Sequence, residues 1–229
     1  THLSIVTGGQ IRKVIKAAPE YLKISLSGYY PNEYDVTHAG GDINLVKSNL
    51  YRIRYFIDQF KSNTLVDVNY HLYTNNNGKN LKRMQELCDE LDFSLSTVNS
   101  LVMPLERVID YVEGKDEART AELNKILPVT IEEGMSIASD FKLDSCPFMD
   151  NQININYDMS VPVCCTVFDQ TDTIVQKNYL KASLSDITNA KHKVKLCTKC
   201  MNYNLPAYNM GFNRKKLDEI ALQKTSTDI

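Results

Sequence analysis

Cys146, Cys164 or its neighbour Cys165, Cys197 and Cys200 could give four thiolates to one site. Cys197-Thr198-Lys199-Cys200 is a CxxC pair, a spacing that turns two sulfurs toward one metal, and Cys146 with Cys164 would complete an S4 set. Such thiolate sets hold either zinc or an iron–sulfur cluster, and the spacing leaves both open. Neighbouring residues of a strand point to opposite faces. Cys164 is therefore expected to face the metal and Cys165 to be buried on the other side.

Five of the six cysteines fall from Cys146 onward, in a chain of 229 residues that is 43% hydrophobic and 24% charged. A chain of that size and composition can bury a core without disulfide staples, so ligation explains the cysteines better than cross-linking. Cys88 stands apart. In KNLKRMQELCDELDF it shares helical spacing with Leu81, Met84, Leu87 and Leu91, which reads as a small buried hydrophobe.

The formal charge of -2 provides no basic field to hold a phosphate backbone, so nucleic acid is not an expected partner. No apolar run approaches the roughly 20 residues that span a bilayer, and no signal-peptide pattern opens the chain; no membrane association and a cytoplasmic location are expected. The sequence begins at Thr1 and passes at once into Leu3, Ile5 and Val6, like a core strand. A fragment lacking its front portion is expected.

Up to about residue 102, short β-branched or apolar runs alternate with amphipathic helical stretches, the pattern of βα units around a parallel sheet. The expected strands are HLSIV (2–6), YLKISLS (21–27), TLVDVNYHLY (64–73) and FSLSTVNSLV (93–102). The expected helices run from Gln10 to Ala18, Asp42 to Lys61 and Gly78 to Leu91. Periodicity fits a doubly wound sheet or an arc of a (βα) barrel equally; in both, working residues sit at the carboxyl ends of the strands. The candidates there are Thr7, Gly8 and Gly9, then Ser25, Ser27 and Gly28, then Tyr73 to Asn77, and Ser100 to Glu106.

Linker helices are expected over MPLERVIDYVEG, near Arg119 to Ile126 and from Thr130 to Phe141, with a charged turn at Lys115 to Glu117. A second domain is expected from residue 144, opening on a hairpin in which Gln152 to Tyr157 pairs with Val161 to Phe168 across a turn at Asp158 to Ser160. The tail from Lys224 is polar and expected to fray.

Two stretches resemble one family. YLKISLSGYYPNEYDVTHAGGDINLVKSNL is similar to the fourth strand and following helix of radical S-adenosylmethionine (radical SAM) enzymes, and CPFMDNQININYDMSVPVCC with CTKC is similar to their C-terminal SPASM or twitch auxiliary-cluster domain. HLSIVTGGQ, VNYHLYTNN and SLVMPLE resemble strands three, five and six. The sequence departs from the family in having no CxxxCxxC, no G-G-E turn, and Met159 where a glycine is usual.

The resemblance implies an α/β fold: a partial (βα) barrel over 1–143, with strands like three to six of a radical SAM barrel and linker helices, then a small α+β twitch-like domain over 144–229. Because the residue six after Cys200 is Pro206, it implies one auxiliary [4Fe-4S] cluster, on Cys146, Cys164, Cys197 and Cys200. It places Ser25 and Ser27 against the methionyl-ribose part of S-adenosylmethionine, with Asn75 and Met103 to Leu105 bordering the adenosine. His38 and Gly40-Gly41 occupy the family's R-x-G position and are read as a turn; His71 is read as an ordinary buried histidine. The parent enzyme would carry S-adenosylmethionine and a second [4Fe-4S] cluster, take electrons from a flavodoxin or ferredoxin, and abstract hydrogen from a peptide, a sugar or a small metabolite. No catalytic residue is assigned. The competing reading is a zinc-ribbon module on a non-catalytic α/β scaffold, acting in binding or structure.

Overall fold

The computed structural model describes residues 3–38, 40–115, 118–169 and 171–225, with Arg119 described by its backbone alone. Expectations that fall on His2, on the turn at 116 and 117 and on the tail beyond Thr225 lie outside the described residues. The chain divides into two compact units, 1–100 with 221–229, and 101–220. No helix among the described residues is long and apolar enough to cross a membrane.

The first unit is mixed α/β. Its parallel sheet has the order β1 (Tyr21–Leu26), β2 (Leu65–Leu72), β3 (Ser94–Asn99). Tyr21 pairs with Leu65 and Asp67 with Ser94, so β2 lies in the middle. Val66 to Tyr70 are all buried, as expected of a strand covered on both faces. These strands coincide with three of the four predicted runs.

The helices follow from local signals. Thr7 caps α1 (Gly8–Lys16) in a reciprocal capping box with Gln10. Asp42 accepts from the Asn44 N–H at 2.8 Å to start α3 (Ile43–Phe60), which ends where Lys61 turns left-handed. Ile43, Val46, Leu50, Ile53 and Ile57 form the buried stripe of α3 at three- and four-residue spacing. Full burial of such side chains contributes about 1.5–3 kcal/mol each. A short helix, α2 (Pro31–Thr37), precedes α3, with Pro31 in its first turn. In α4 (Lys79–Glu90), Met84, Leu87 and Cys88 are buried, which agrees with the packing role read for Cys88.

The strand expected at 2–6 does not form. Leu3 is buried, but Ser4 and Ile5 turn and Ile5 is exposed. The reason is a side chain: the Asn49 amide, fully buried on α3, donates to the carbonyls of Leu3 (2.9 Å) and Val6 (3.0 Å). Those carbonyls are satisfied without a ladder.

The second unit begins with α5 (Leu105–Val112), α6 (Ala118–Lys125) and α7 (Ile131–Ser139), close to the three predicted linker helices. Next come α8 (Pro147–Asn151), a two-stranded antiparallel pair of β4 (Val161–Pro162) and β5 (Ile174–Gln176), α9 (Leu184–Lys191), α10 (Lys195–Asn202), α11 (Leu205–Asn209) and α12 (Arg214–Thr225), whose last residues belong to the first unit. The Asn204 amide donates to the carbonyls of Ala138 (2.6 Å) and Phe141 (3.1 Å), closing the end of α7.

The predicted hairpin partner is wrong. The chain reverses where expected, with the Asn156 N–H donating to the Ser160 carbonyl at 2.9 Å, but Gln152 to Tyr157 form no strand. β4 pairs with β5 instead, and the Val163 N–H extends the contact to the Thr173 carbonyl at 2.8 Å. Pro162 has no N–H to give, which keeps this ladder short.

Candidate metal centre

Three separate segments bring Cys146, Cys164, Cys197 and Cys200 to one pocket, whose wall also includes Leu105, Met149, Val163 and Pro206. Cys146 is the residue before α8, and its carbonyl accepts from the Met149 N–H at 2.9 Å, so the short helix fixes the backbone of that thiol. Cys164 follows β4, with its sulfur 3.1 Å from the Thr166 hydroxyl. Cys197 and Cys200 lie three apart on α10, which gives them one helix face; the expected CxxC turn is a helix here. Lys199, between them, holds α10 against the end of α5 by donating to the Glu113 carboxylate at 2.9 and 3.1 Å.

Cys165 is exposed and does not line the pocket, which corrects the expectation that it is buried. Past Val163 the chain leaves the ladder and turns at Cys165, so strand alternation no longer fixes which way Cys165 faces.

Burial and the neighbouring sulfurs act together on these thiols. Burial pushes Cys197 up to about 11, and nearby Cys164 and Cys146 add to it. Cys200 is raised further, first by burial and then by Cys146, Cys164 and Cys197. Cys146 is raised for the same two reasons. Four mutually repelling thiolates in an apolar pocket need a cation to exist together, and a metal centre supplies one.

The donor set fits a thiolate-ligated group. Among the described residues, no three or more His, Cys, Asp or Glu side chains are grouped to hold a single metal ion. Tetrahedral zinc needs its sulfurs about 3.8 Å apart, given Zn–S bonds of about 2.3 Å. A cubane cluster spreads its ligand sulfurs wider, because each binds a different iron. Four soft sulfurs lining one apolar pocket suit either group.

At the carboxyl edge of the parallel sheet, Ser25 is half-buried and Ser27 buried. The Ser27 hydroxyl lies 2.6 Å from that of Thr37 and 3.0 Å from Nδ1 of His38, whose ring stacks on Tyr34 with centroids 4.4 Å apart. His38 also shapes a turn, its carbonyl accepting from the Gly41 N–H at 2.8 Å, in agreement with the reading of that segment. Gly28 has φ of +151°, and a Cβ there would come within 2.8 Å of the Tyr34 nitrogen. Asn75 is exposed, whereas its neighbour Asn76 is buried and used locally, accepting from the Tyr73 N–H (2.8 Å) and donating to the His71 carbonyl (2.9 Å). His71 is half-buried in β2. Met103 to Leu105 belong to the second unit.

One residue beside the metal pocket escaped the sequence reading. Lys191, the last residue of α9, is 1% exposed and donates to three carbonyls around α8. In DITNAKHKVKLC it is one of three lysines in a polar stretch, and no local signal separates it from Lys193 and Lys195.

No protein-family model matches the sequence, and no curated protein matches it. Two solved structures are similar in their chain path: native anSMEcpe with bound AdoMet, at 13% identity and a TM-score of 0.45 over 98% of this chain and 72% of that one, and histidine-tagged anSMEcpe with bound AdoMet, at 14% identity and 0.43 over 96% and 70%. Scores at this level do not establish a shared fold.

Proposed function

We propose that this chain is part of a radical SAM enzyme and that Cys146, Cys164, Cys197 and Cys200 hold one auxiliary [4Fe-4S] cluster. Residues 144–229 would form the twitch-like cluster module and 1–143 part of the (βα) barrel with its linker helices. The reading is supported by the meeting of these four thiols, from three segments, on one apolar pocket. When bound, such a cluster supplies one-electron chemistry. Cys146, Cys164, Cys197 and Cys200 would hold it, and Leu105, Met149 and Val163, which line the same pocket, would keep water from it.

In the parent enzyme, S-adenosylmethionine and a second [4Fe-4S] cluster would provide hydrogen abstraction from a substrate. The 229 residues contain no CxxxCxxC, so they carry no ligand set for that cluster and would not initiate a radical reaction. Ser25, Ser27 and Asn75 are the proposed S-adenosylmethionine contacts on this chain. The Ser27 hydroxyl also lies within hydrogen-bond reach of Thr37 and His38, which would fix it at the strand end.

Anaerobic purification and reconstitution, followed by metal and sulfide analysis, tests the cluster. About four iron and four sulfide per chain are expected, falling below half in Cys200→Ala. A colourless protein with one zinc and no sulfide would establish the zinc-ribbon alternative instead.

A further inference from the structure

We propose that Lys191 is a positioning residue for the cluster site: it fixes the segment that follows Cys146 and places a positive charge near three of the four proposed thiolate ligands, which favours the reduced cluster. This inference rests on the cluster reading above.

Lys191 Nζ lies 2.7 Å from the carbonyl oxygens of Phe148, Met149 and Gln152. A carbonyl only accepts, so three such contacts require three N–H donors, and only the protonated ammonium has three. The group is therefore a cation in an almost sealed position, 1% exposed. Asp150, the nearby carboxylate, faces His192 at 3.3 Å and is half exposed. Lys191 thus lies outside any buried ion pair, the usual condition for burying a lysine.

Two features of the surroundings account for it. The carbonyls of Met149 and Gln152, with that of Phe148, belong to the trailing side of the short helix that Cys146 opens, where basic groups favour the helix dipole. Burial holds the Lys191 ammonium below the ordinary lysine value, and Cys164, Cys146, Asp150 and Cys197 oppose this by favouring its charged form. One cation thereby ties α9 to α8 and interacts electrostatically with three of the four proposed ligands. A cluster with four thiolates gains one negative charge when one electron enters it. A fixed cation nearby stabilises that product more than the oxidised form and raises the potential, since net charge and burial set where these clusters titrate.

The test uses the full chain, reconstituted anaerobically, with dithionite as electron donor. Cluster reduction is followed by electron paramagnetic resonance at a series of poised potentials. Lys191→Met keeps the length of the side chain and removes its charge and donors. It is expected to disfavour reduction at least tenfold, which for one electron is about 59 mV more negative, and to lower iron and sulfide loading at least twofold. If Lys191→Met loads fully and titrates with the wild type, the inference fails and the cluster stands. If the wild type itself binds no iron and sulfide, the cluster reading fails, and this one with it. Should Lys191→Met lose its helical circular dichroism, Lys191→Arg decides: a potential within twofold of wild type in the reduction equilibrium supports the charge effect, and a tenfold loss overturns it.

Discussion

Gly134 lies directly beneath the ring of Tyr208: a Cβ at position 134 would sit 2.5 Å from Cε2 and 2.7 Å from Cδ2. Tyr208 is buried on α11, whose approach to α7 is set by this absence of a side chain. Gly134→Ala should destabilise the second unit by about 1–3 kcal/mol through overpacking, despite alanine's better helix propensity. Urea unfolding at neutral pH is the check, and an unchanged or higher midpoint would show that the ring has room to move.

Asn49 has the converse role, filling a buried position with hydrogen bonds to the Leu3 and Val6 carbonyls. Its Oδ1 also accepts from Arg52 at 2.8 Å. Asn49→Ala removes the donor from two carbonyls at once, and a loss of about 1–3 kcal/mol in thermal or urea unfolding is expected. A Leu3 to Thr7 segment held by its apolar side chains alone would show no such loss.

The same contact explains a limit of the sequence reading. Ser4, Ile5 and Val6 have the composition of a strand, and nothing local reveals that an asparagine far along the chain takes two of the backbone carbonyls. β1, β2 and β3 were legible from their β-branched and apolar runs, which pair with one another in the sheet, and α3 because its stripe and its Asp42 cap are local. The pairing of β4 was not, since its partner lies beyond Gln170 while the nearer alternating segment offers the commoner hairpin geometry. That Cys146, Cys164, Cys197 and Cys200 belong together was legible by residue type and spacing, and they line one pocket. The helix that carries Cys197 and Cys200 was less so, because a CxxC occurs on turns and helices alike. Lys191 lies at the far end of this scale: its role depends on three carbonyls some forty positions earlier in the chain.

His71 gives the first unit a pH dependence with a defined sign. Burial, with Lys23 as a second cause, holds its imidazole below the ordinary value. Unfolded, the same ring takes a proton near pH 6.5. Between that pH and the lower folded value, the unfolded state binds more protons, so stability is fully present above about 6.5 and is lost as the pH falls. Urea midpoints measured from pH 7.5 to 5.5 should fall for the wild type and fall less for His71→Gln. Parallel slopes for the two proteins would mean that other groups carry the dependence.

Cys164 and Cys165 offer the sharpest comparison within the site. They are adjacent, yet only Cys164 lines the pocket with Cys146, Cys197 and Cys200, and its sulfur is 3.1 Å from the Thr166 hydroxyl. A serine nearly matches cysteine in shape but is a poor ligand for iron, so each exchange removes a ligand with little change in packing. After anaerobic reconstitution, Cys164→Ser should hold less than half the wild-type iron and sulfide, while Cys165→Ser should match it. The opposite pattern would move the ligand to Cys165, and that exchange requires the chain after β4 to rotate, because Cys165 faces solvent in the fold described here. Equal loading in both variants would mean that each sulfur replaces the other. The backbone on either side then could not be as fixed as the hydrogen bond from the Leu105 N–H to the Thr166 carbonyl, at 2.7 Å, makes it.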